Sequence, residues 1–280
     1  MNRKIKQIIS GMPTSDGAGV ELVRVIGQPA LEQLDPFLLL DVFRSDNPDD
    51  YIAGFPPHPH RGFETVTYLL NGRMRHKDNK GHEGVIEPGG IQWMTAASGI
   101  VHSEMPEQED GLLQGFQLWI NLPAGNKMDA SNYQEHGAEE IPLEIREDGS
   151  KIKVITGSTS QGTIGPVKQP LTDPLYLDVE LSDNSEFIEP TTEGHNAFIF
   201  VISGQVEIAG EQNIESLNAD QLGIFGGGNS IQIRSRKGKS RFLIIAGKPL
   251  NEPIARGGPF VMNTQAEIKQ AFSDYQAGLL

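Results

Sequence analysis

The feature that most constrains this chain is how closely its turn signals follow one another. Asn71-Gly72, Asp78 to Gly81, Pro88-Gly89-Gly90, Ser203-Gly204, Gly226-Gly227-Gly228 and Lys237-Gly238 all fall between short apolar runs. That spacing suits strands of a sandwich or barrel. The runs themselves alternate with period two: Leu175, Leu177, Val179 and Leu181 against Tyr176, Asp178 and Glu180, and Ile152 and Val154 against Lys151 and Lys153. Such alternation predicts strands with one buried face. The 32 Gly and 18 Pro are scattered, as many tight turns require. No strand-helix-strand alternation is visible, so a parallel α/β sheet is not expected.

A weak internal repeat refines the picture. Tyr68-Leu-Leu-Asn-Gly72 and Phe200-Val-Ile-Ser-Gly204 are each an apolar strand ending in a turn before another strand, which suggests two similar β-barrels in an all-β chain. The polar, turn-rich stretch from about Pro123 to Gly149 reads as their connection. We therefore expect domains over 1–130 and 131–280. The exception to the strand pattern lies near the C-terminus, where Ile268, Phe272 and Tyr275 share one helical face, Thr264 and Glu267 form a capping box and Gly278 can end the helix.

Composition narrows the function. The formal net charge of −14 should repel a phosphate backbone, and the one basic run, Arg234 to Arg241, has the alternation of a solvated strand face and its turn. Direct nucleic-acid binding is not expected. The absence of cysteine removes disulfides and thiolate chemistry, so any metal must sit on His, Asp or Glu. The N-terminal segment has basic residues but no apolar stretch of signal length, and no later segment approaches a membrane span. A soluble cytoplasmic protein is the expectation.

Four candidate ligands fall in two pairs, His58-Pro59-His60 and His102-Ser103-Glu104. Spacing of i, i+2 puts both members of a pair on one face of a strand. Two such strands side by side would aim three imidazoles and one carboxylate at a common point. Pro59 costs a ladder hydrogen bond, which an edge or barrel-mouth position tolerates. A lone HxH pair is more often solvated than metal-bound; two pairs in a chain with seven His favour a site. Three imidazoles and a carboxylate suit first-row divalent metals, and affinity alone does not choose among them. An ion preferring five or six ligands would keep open positions, as catalysis needs. Glu64, four residues after His60, competes with Glu104 for the fourth place unless a bulge at Gly62 turns it away. His76, His82 and His136 lie among polar residues and read as solvated, and His195 reads as a hydrogen-bonded strand residue.

Three longer stretches carry a resemblance. Phe55 to Thr65 (FPPHPHRGFET), Gln92 to Pro106 (QWMTAASGIVHSEMP) and Gln117 to Pro123 (QLWINLP), together with Gly257 to Asn263 (GGPFVMN), closely resemble the pirin family of the cupin superfamily. The resemblance implies two cupin-type β-barrels with a short C-terminal helix and one mononuclear metal in the N-terminal barrel only. It places the ligands on His58, His60, His102 and Glu104, with Glu64 a relic of the cupin motif or a supporting group. Counting back twelve and fourteen residues from Gly72 reaches His60 and His58, whereas the same counts from Gly204 reach Thr192 and Pro190. The second barrel thus lacks the ligands, in keeping with the resemblance.

Pirin-like proteins are associated with quercetin 2,3-dioxygenase activity, so the resemblance implies oxidative ring opening of a flavonol or related enol by dioxygen. The metal would be Fe(II), with Mn, Ni, Cu, Co or Zn as alternatives. Glu104 would serve as ligand and as general base. The resemblance supports a rival of another class, an iron-dependent redox sensor that binds a transcription factor or a metabolic enzyme. Identical pull-down partners for Fe(II)- and Fe(III)-loaded protein would remove that rival.

Overall fold

The computed structural model describes residues 1–210 and 213–280. The chain forms two compact units that are interleaved in sequence: one comprises Met12–Gln33, Phe37–Ala138 and Leu250–Leu280, the other Met1–Gly11, Leu34–Pro36 and Glu139–Pro249. Each unit therefore takes segments from both sides of the expected boundary near residue 130. The cause is local pairing. Strand Ile5–Ser10 hydrogen-bonds to Gln221–Phe225 in the second unit, while Val261 packs with Leu38 and Phe63 in the first.

Each unit pairs a seven-stranded with a four-stranded antiparallel sheet, the cupin arrangement. In the first unit the larger sheet runs Asn132–His136, Ile91–Thr95, Phe63–Asn71, Leu113–Asn121, Phe37–Ser45, Val20–Ile26, Met12–Asp16, and the smaller runs Phe55–His60, Ile100–Pro106, Met74–Asp78, Glu83–Ile86. The second unit repeats the plan: Asn196–Ser203 lies centrally in its larger sheet and Gln205–Ala209 in its smaller one. The internal repeat is thus structural. Gly72 and Gly204 hold the equivalent turns at φ of 84° and 78°, where a Cβ would meet Leu113 Cδ1 at 2.7 Å and the Lys239 carbonyl at 2.5 Å.

The period-two reading holds unevenly. Ile152 and Val154 enter the core of the second unit as predicted. Leu177, Val179 and Leu181 do so too, but Tyr176 and Asp178 on the opposite face are also buried. Their strand is internal to the seven-stranded sheet, and Arg241 satisfies Asp178 with two hydrogen bonds of 2.7 and 2.9 Å. Arg234 and Arg236 from the same basic run pair with Glu186 and Glu207.

The expected helix spans Gln265–Gln276 and its capping box at Thr264 and Glu267 is formed. Ile268 and Ala271 are its buried residues; Phe272 and Tyr275 remain partly exposed while turning their rings toward Phe260. The polar connection is more ordered than a linker. It contributes the short helix Ala124–Asn126 and the edge strand Asn132–His136, which pairs with Ile91–Thr95.

Candidate metal centre

The three imidazoles meet because of strand register. Strand Phe55–His60 pairs antiparallel with Ile100–Pro106 so that His102 faces His58 and Ile100 faces His60. With His58 and His60 on one face, His102 arrives beside both. The ring centroids lie 4.5 to 5.1 Å apart across the three pairs. One potential ligand atom from each ring lies within 4.8 Å of the others.

Hydrogen bonding fits this trio to a cation. His58 Nδ1 lies 2.9 Å from the Pro56 carbonyl and His60 Nδ1 3.4 Å from the Pro259 carbonyl. A carbonyl only accepts, so these contacts place the ring protons on Nδ1 and leave both Nε2 atoms as acceptors. Those two Nε2 atoms face each other at 3.0 Å. Two lone pairs at that distance repel unless a proton or a metal ion lies between them. His102 is almost wholly buried, and among the described residues neither of its ring nitrogens has a hydrogen-bond partner. Burial first, and then the neighbouring imidazoles, hold His60 and His102 well below the ordinary histidine pKa, against which the Pro259 contact to His60 works weakly. Neutral imidazoles are the ligating form. The trio can therefore hold one metal ion.

Glu104 is not part of the trio. The register slips between His102 and Glu104, so that Glu104 opposes Phe55 and the chain carries Pro56 and Pro57 as it moves away. Neither proline can donate to the ladder. The carboxylate is buried in the wall of the same cavity, where Oε1 accepts from Thr67 Oγ1 at 2.8 Å and Oε2 from Gln117 Nε2 at 3.2 Å. Thr67 and Gln117 are direct cross-strand neighbours.

Glu64 is directed elsewhere. Gly62, at φ of 89°, breaks the strand after His60, and a Cβ there would run into the Val261 carbonyl. Glu64 therefore belongs to the other sheet, paired across from Thr95, whose hydroxyl donates to it at 2.6 Å. It is not among the residues of the cavity wall. His76 corrects the reading from composition: it is buried, directly across from Glu104, with Nε2 2.5 Å from Glu135 Oε1. His82 is exposed and His136 half-buried. His195 is buried in the segment before strand Asn196–Ser203 rather than within a strand.

His58 and His60 line a cavity of about 830 Å³, within the range for small-molecule sites. Leu22, Leu39, Phe43, Phe55 and Met74 form its apolar wall. Gln117 and Trp119 enter it from alternate positions of strand Leu113–Asn121, while Phe116, Leu118 and Ile120 fill the core on the opposite face.

Two family models match this chain, Pirin over residues 19–120 and the Pirin C-terminal cupin domain over 176–280. A Pirin-like protein of Caulobacter vibrioides is 50% identical over 99% of this chain and 98% of its own length. The chain belongs to the pirin family. A relative from Pseudomonas aeruginosa that carries a provisional quercetin 2,3-dioxygenase name is 48% identical over 99% of this chain and 98% of its own. A crystal structure of quercetin 2,3-dioxygenase from Acinetobacter baumannii superposes with a TM-score of 0.90 at 32% identity, covering 99% of this chain and 98% of that one.

Within this pirin, sequence reasoning about the two ligand pairs missed the parts that hold them. Hairpin Ala255–Gly257 and Phe260–Met262 brings the Pro259 carbonyl to His60 and lines the cavity with Arg256, Gly258 and Pro259. Lys127 is wholly buried and donates to the Gly62 carbonyl at 2.6 Å, to Asn121 Oδ1 at 2.5 Å and to the Val261 carbonyl at 3.0 Å. It thereby ties the turn after His60 to the hairpin. Arg61 donates to the Ser98 carbonyl at 2.6 Å and to Asp274 of the C-terminal helix at 2.7 Å. The i, i+2 spacing of Gln117 and Trp119 was the available signal for two of the missed residues, since it is the spacing that singled out the histidines.

Proposed function

We propose that the protein is a mononuclear metal dioxygenase that opens the ring of a flavonol or related enol, with His58, His60 and His102 as ligands and Glu104 as fourth ligand and base. The observation that carries this reading is the convergence of three imidazoles, two of them on the wall of a small-molecule cavity that also holds a buried carboxylate. The pirin relatives with quercetinase names support the same chemistry. Fe(II) is the metal we favour, in the first unit alone; among the described residues no second group of three such side chains gathers. When bound, the ion would supply a Lewis acid with positions open to a substrate oxygen and to dioxygen.

The side chains around it are arranged to manage one proton. Thr67 Oγ1 has a single hydrogen and two acceptors in reach, Glu104 Oε1 at 2.8 Å and Gln117 Oε1 at 2.6 Å. With Glu104 ionised, the hydroxyl donates to the carboxylate. After Glu104 takes the proton of the substrate hydroxyl onto Oε1, that proton is donated to Thr67 Oγ1, whose own hydrogen turns to Gln117 Oε1. Gln117 Nε2 donates to Glu104 Oε2 in both states. The set is fully satisfied once Glu104 is protonated, whereas in the ionised form the Thr67 hydrogen serves only one of its two acceptors, so the arrangement favours proton uptake by Glu104. The apolar wall excludes water while the flavonol and dioxygen are converted to a depside and carbon monoxide, which together contain every atom of the reactants.

The experiment is anaerobic reconstitution with Fe(II), followed by oxygen uptake and carbon monoxide release with quercetin. Metal-dependent uptake that is lost in His102→Ala is the expected result. No metal-dependent uptake by the wild type, or full activity in His102→Ala, overturns the proposal.

A further inference from the structure

The cavity contains two arginines in different electrostatic situations. Arg24 is spent: it donates to Asp41 Oδ1 at 2.9 Å, Asp41 Oδ2 at 2.7 Å and Asp16 Oδ2 at 2.7 Å. Those bonds also occupy the two carboxylates, and Asp16 Oδ1 further accepts from the Gly17 amide. Asp41 is buried, and its desolvation, which raises its pKa, is opposed by this pairing with Arg24. Two acids on one guanidinium form a self-contained group.

Arg256 has no such partner. Its guanidinium carbon stands 5.1 Å from the Trp119 ring centroid, and among the described residues no carboxylate pairs with it. Partial desolvation, then the like charge of Arg24, lower its pKa, with Asp41 and Asp16 acting weakly the other way. A guanidinium remains cationic through any such shift. It lies in the strand leading to the hairpin tip, where Gly258 turns at φ of 52° and Pro259 reaches His60. The other face of this geometry is Trp119, whose ring centroid is 5.2 Å from that of His60. One indole therefore spans the distance between the His60 imidazole and a fork of N–H donors that has no protein acceptor among the described residues. Both groups line the same cavity, whose remaining wall is largely apolar and aromatic.

We infer that the substrate is an acidic aromatic: a planar ring system whose anionic group, a carboxylate or ionised phenol, pairs with Arg256 while an oxygen at its other end meets the imidazole trio. This inference rests on reading the cavity as the substrate site and narrows the substrate class. Arg256 is then a specificity residue. Its stacking on Trp119 holds the fork toward the cavity, and the match of a planar guanidinium to a planar oxyanion pair supplies discrimination that a neutral ring lacks.

The test uses calorimetric titration of the full-length protein, metal-loaded and metal-stripped, with 2-naphthoate and its neutral counterpart 2-naphthol. The wild type should bind 2-naphthoate roughly tenfold or more tightly than 2-naphthol in both metal states. Arg256→Gln should abolish that preference and leave 2-naphthol binding unchanged; Arg256→Lys should keep part of it. Equal binding of the two probes by the wild type, or an undiminished preference in Arg256→Gln, overturns the inference. Should Arg256→Gln lose both probes, Arg256→Lys decides: a retained preference supports the role and its absence refutes it. Oxygen uptake is measured separately, so an anion preference without turnover would leave Arg256 standing and remove the dioxygenase, and turnover without the preference would do the reverse.

Discussion

Lowering the pH should destabilise the metal-free protein through His60 and His102. Both imidazoles have folded-state pKa values well below the ordinary 6.5, chiefly because burial disfavours their charged form. In the unfolded chain each takes up a proton as the pH falls through that value, while in the folded chain each stays neutral. Stability is therefore complete above about pH 6.5 and declines below it, the sign expected for a buried neutral histidine. With the folded values well below the assay range, each group contributes about 1.4 kcal/mol one pH unit under its unfolded pKa, so the pair costs about 3 kcal/mol at pH 5.5. For a protein of this size that corresponds to a fall in Tm of roughly 6–12 °C between pH 7.5 and 5.5. Carboxylates titrate lower and contribute a background, so the assay compares thermal unfolding of the metal-stripped wild type with the double variant His60→Gln, His102→Gln over the same pH range. The wild type should lose about 3 kcal/mol more than the variant. Parallel pH profiles would show that these two imidazoles do not carry the predicted cost, and the account of His60 and His102 as neutral buried groups would fail.

Metal loading should act in the opposite direction at neutral pH: free metal at 100 times Kd adds about 2.7 kcal/mol of stability, read as a rise in Tm that His102→Ala should largely remove. Thr67→Val keeps the shape of the side chain but removes the hydroxyl that donates to Glu104 Oε1; turnover or metal affinity should fall about 10–100-fold, Thr67→Ser should restore it, and equal kinetics in Val and Ser variants would refute the proton cradle. Lys127→Met orphans three buried acceptors, at about 1–3 kcal/mol each, but relieves burial of an ammonium whose pKa is pushed down from 10.5 to about 8, worth about 3 kcal/mol. At about 2 kcal/mol per acceptor the net loss should be about 3 kcal/mol in urea unfolding, within a range of about 0–6 kcal/mol, and a gain in stability would mean that the turn after His60 is held by something else.

How far the sequence foretold this molecule depended on how far each feature obeys a local rule. Period-two alternation and paired turn glycines are local, so the barrels and the Gly72/Gly204 repeat were legible in the order of the residues alone. The helix was legible for the same reason, through a capping box contained within Thr264 to Glu267. Same-face spacing is also local, and it placed His58 and His60 correctly because Phe55–His60 is one unbroken strand. For Glu104 it held in part: the carboxylate reaches the cavity that His58 and His60 line, but its distance from the trio depends on alignment across strands, and the register slips opposite Pro56 and Pro57. For Glu64 the spacing left two outcomes open, and the break at Gly62 is the one found: it ends the strand and passes the chain to another sheet.

The least legible parts were those that support the imidazole trio from a distance. His60 is oriented by a carbonyl 199 residues away, and nothing in the local pattern around either residue records that contact. Lys127 illustrates the same limit from the other direction. A lysine in a polar connecting stretch reads as solvated, yet this one is among the larger fully buried side chains, because two backbone carbonyls and an amide oxygen converge where the turn after His60 meets the hairpin. Composition cannot distinguish such a lysine from its exposed neighbours; only the positions of its acceptors do. The imidazoles of the trio are thus written in short motifs, whereas the orientation of His60 and the place of Arg256 are set by a hairpin near the far end of the chain. Substitutions in that hairpin, at Pro259 or Arg256, should accordingly alter the site while leaving every motif of the ligand strands intact.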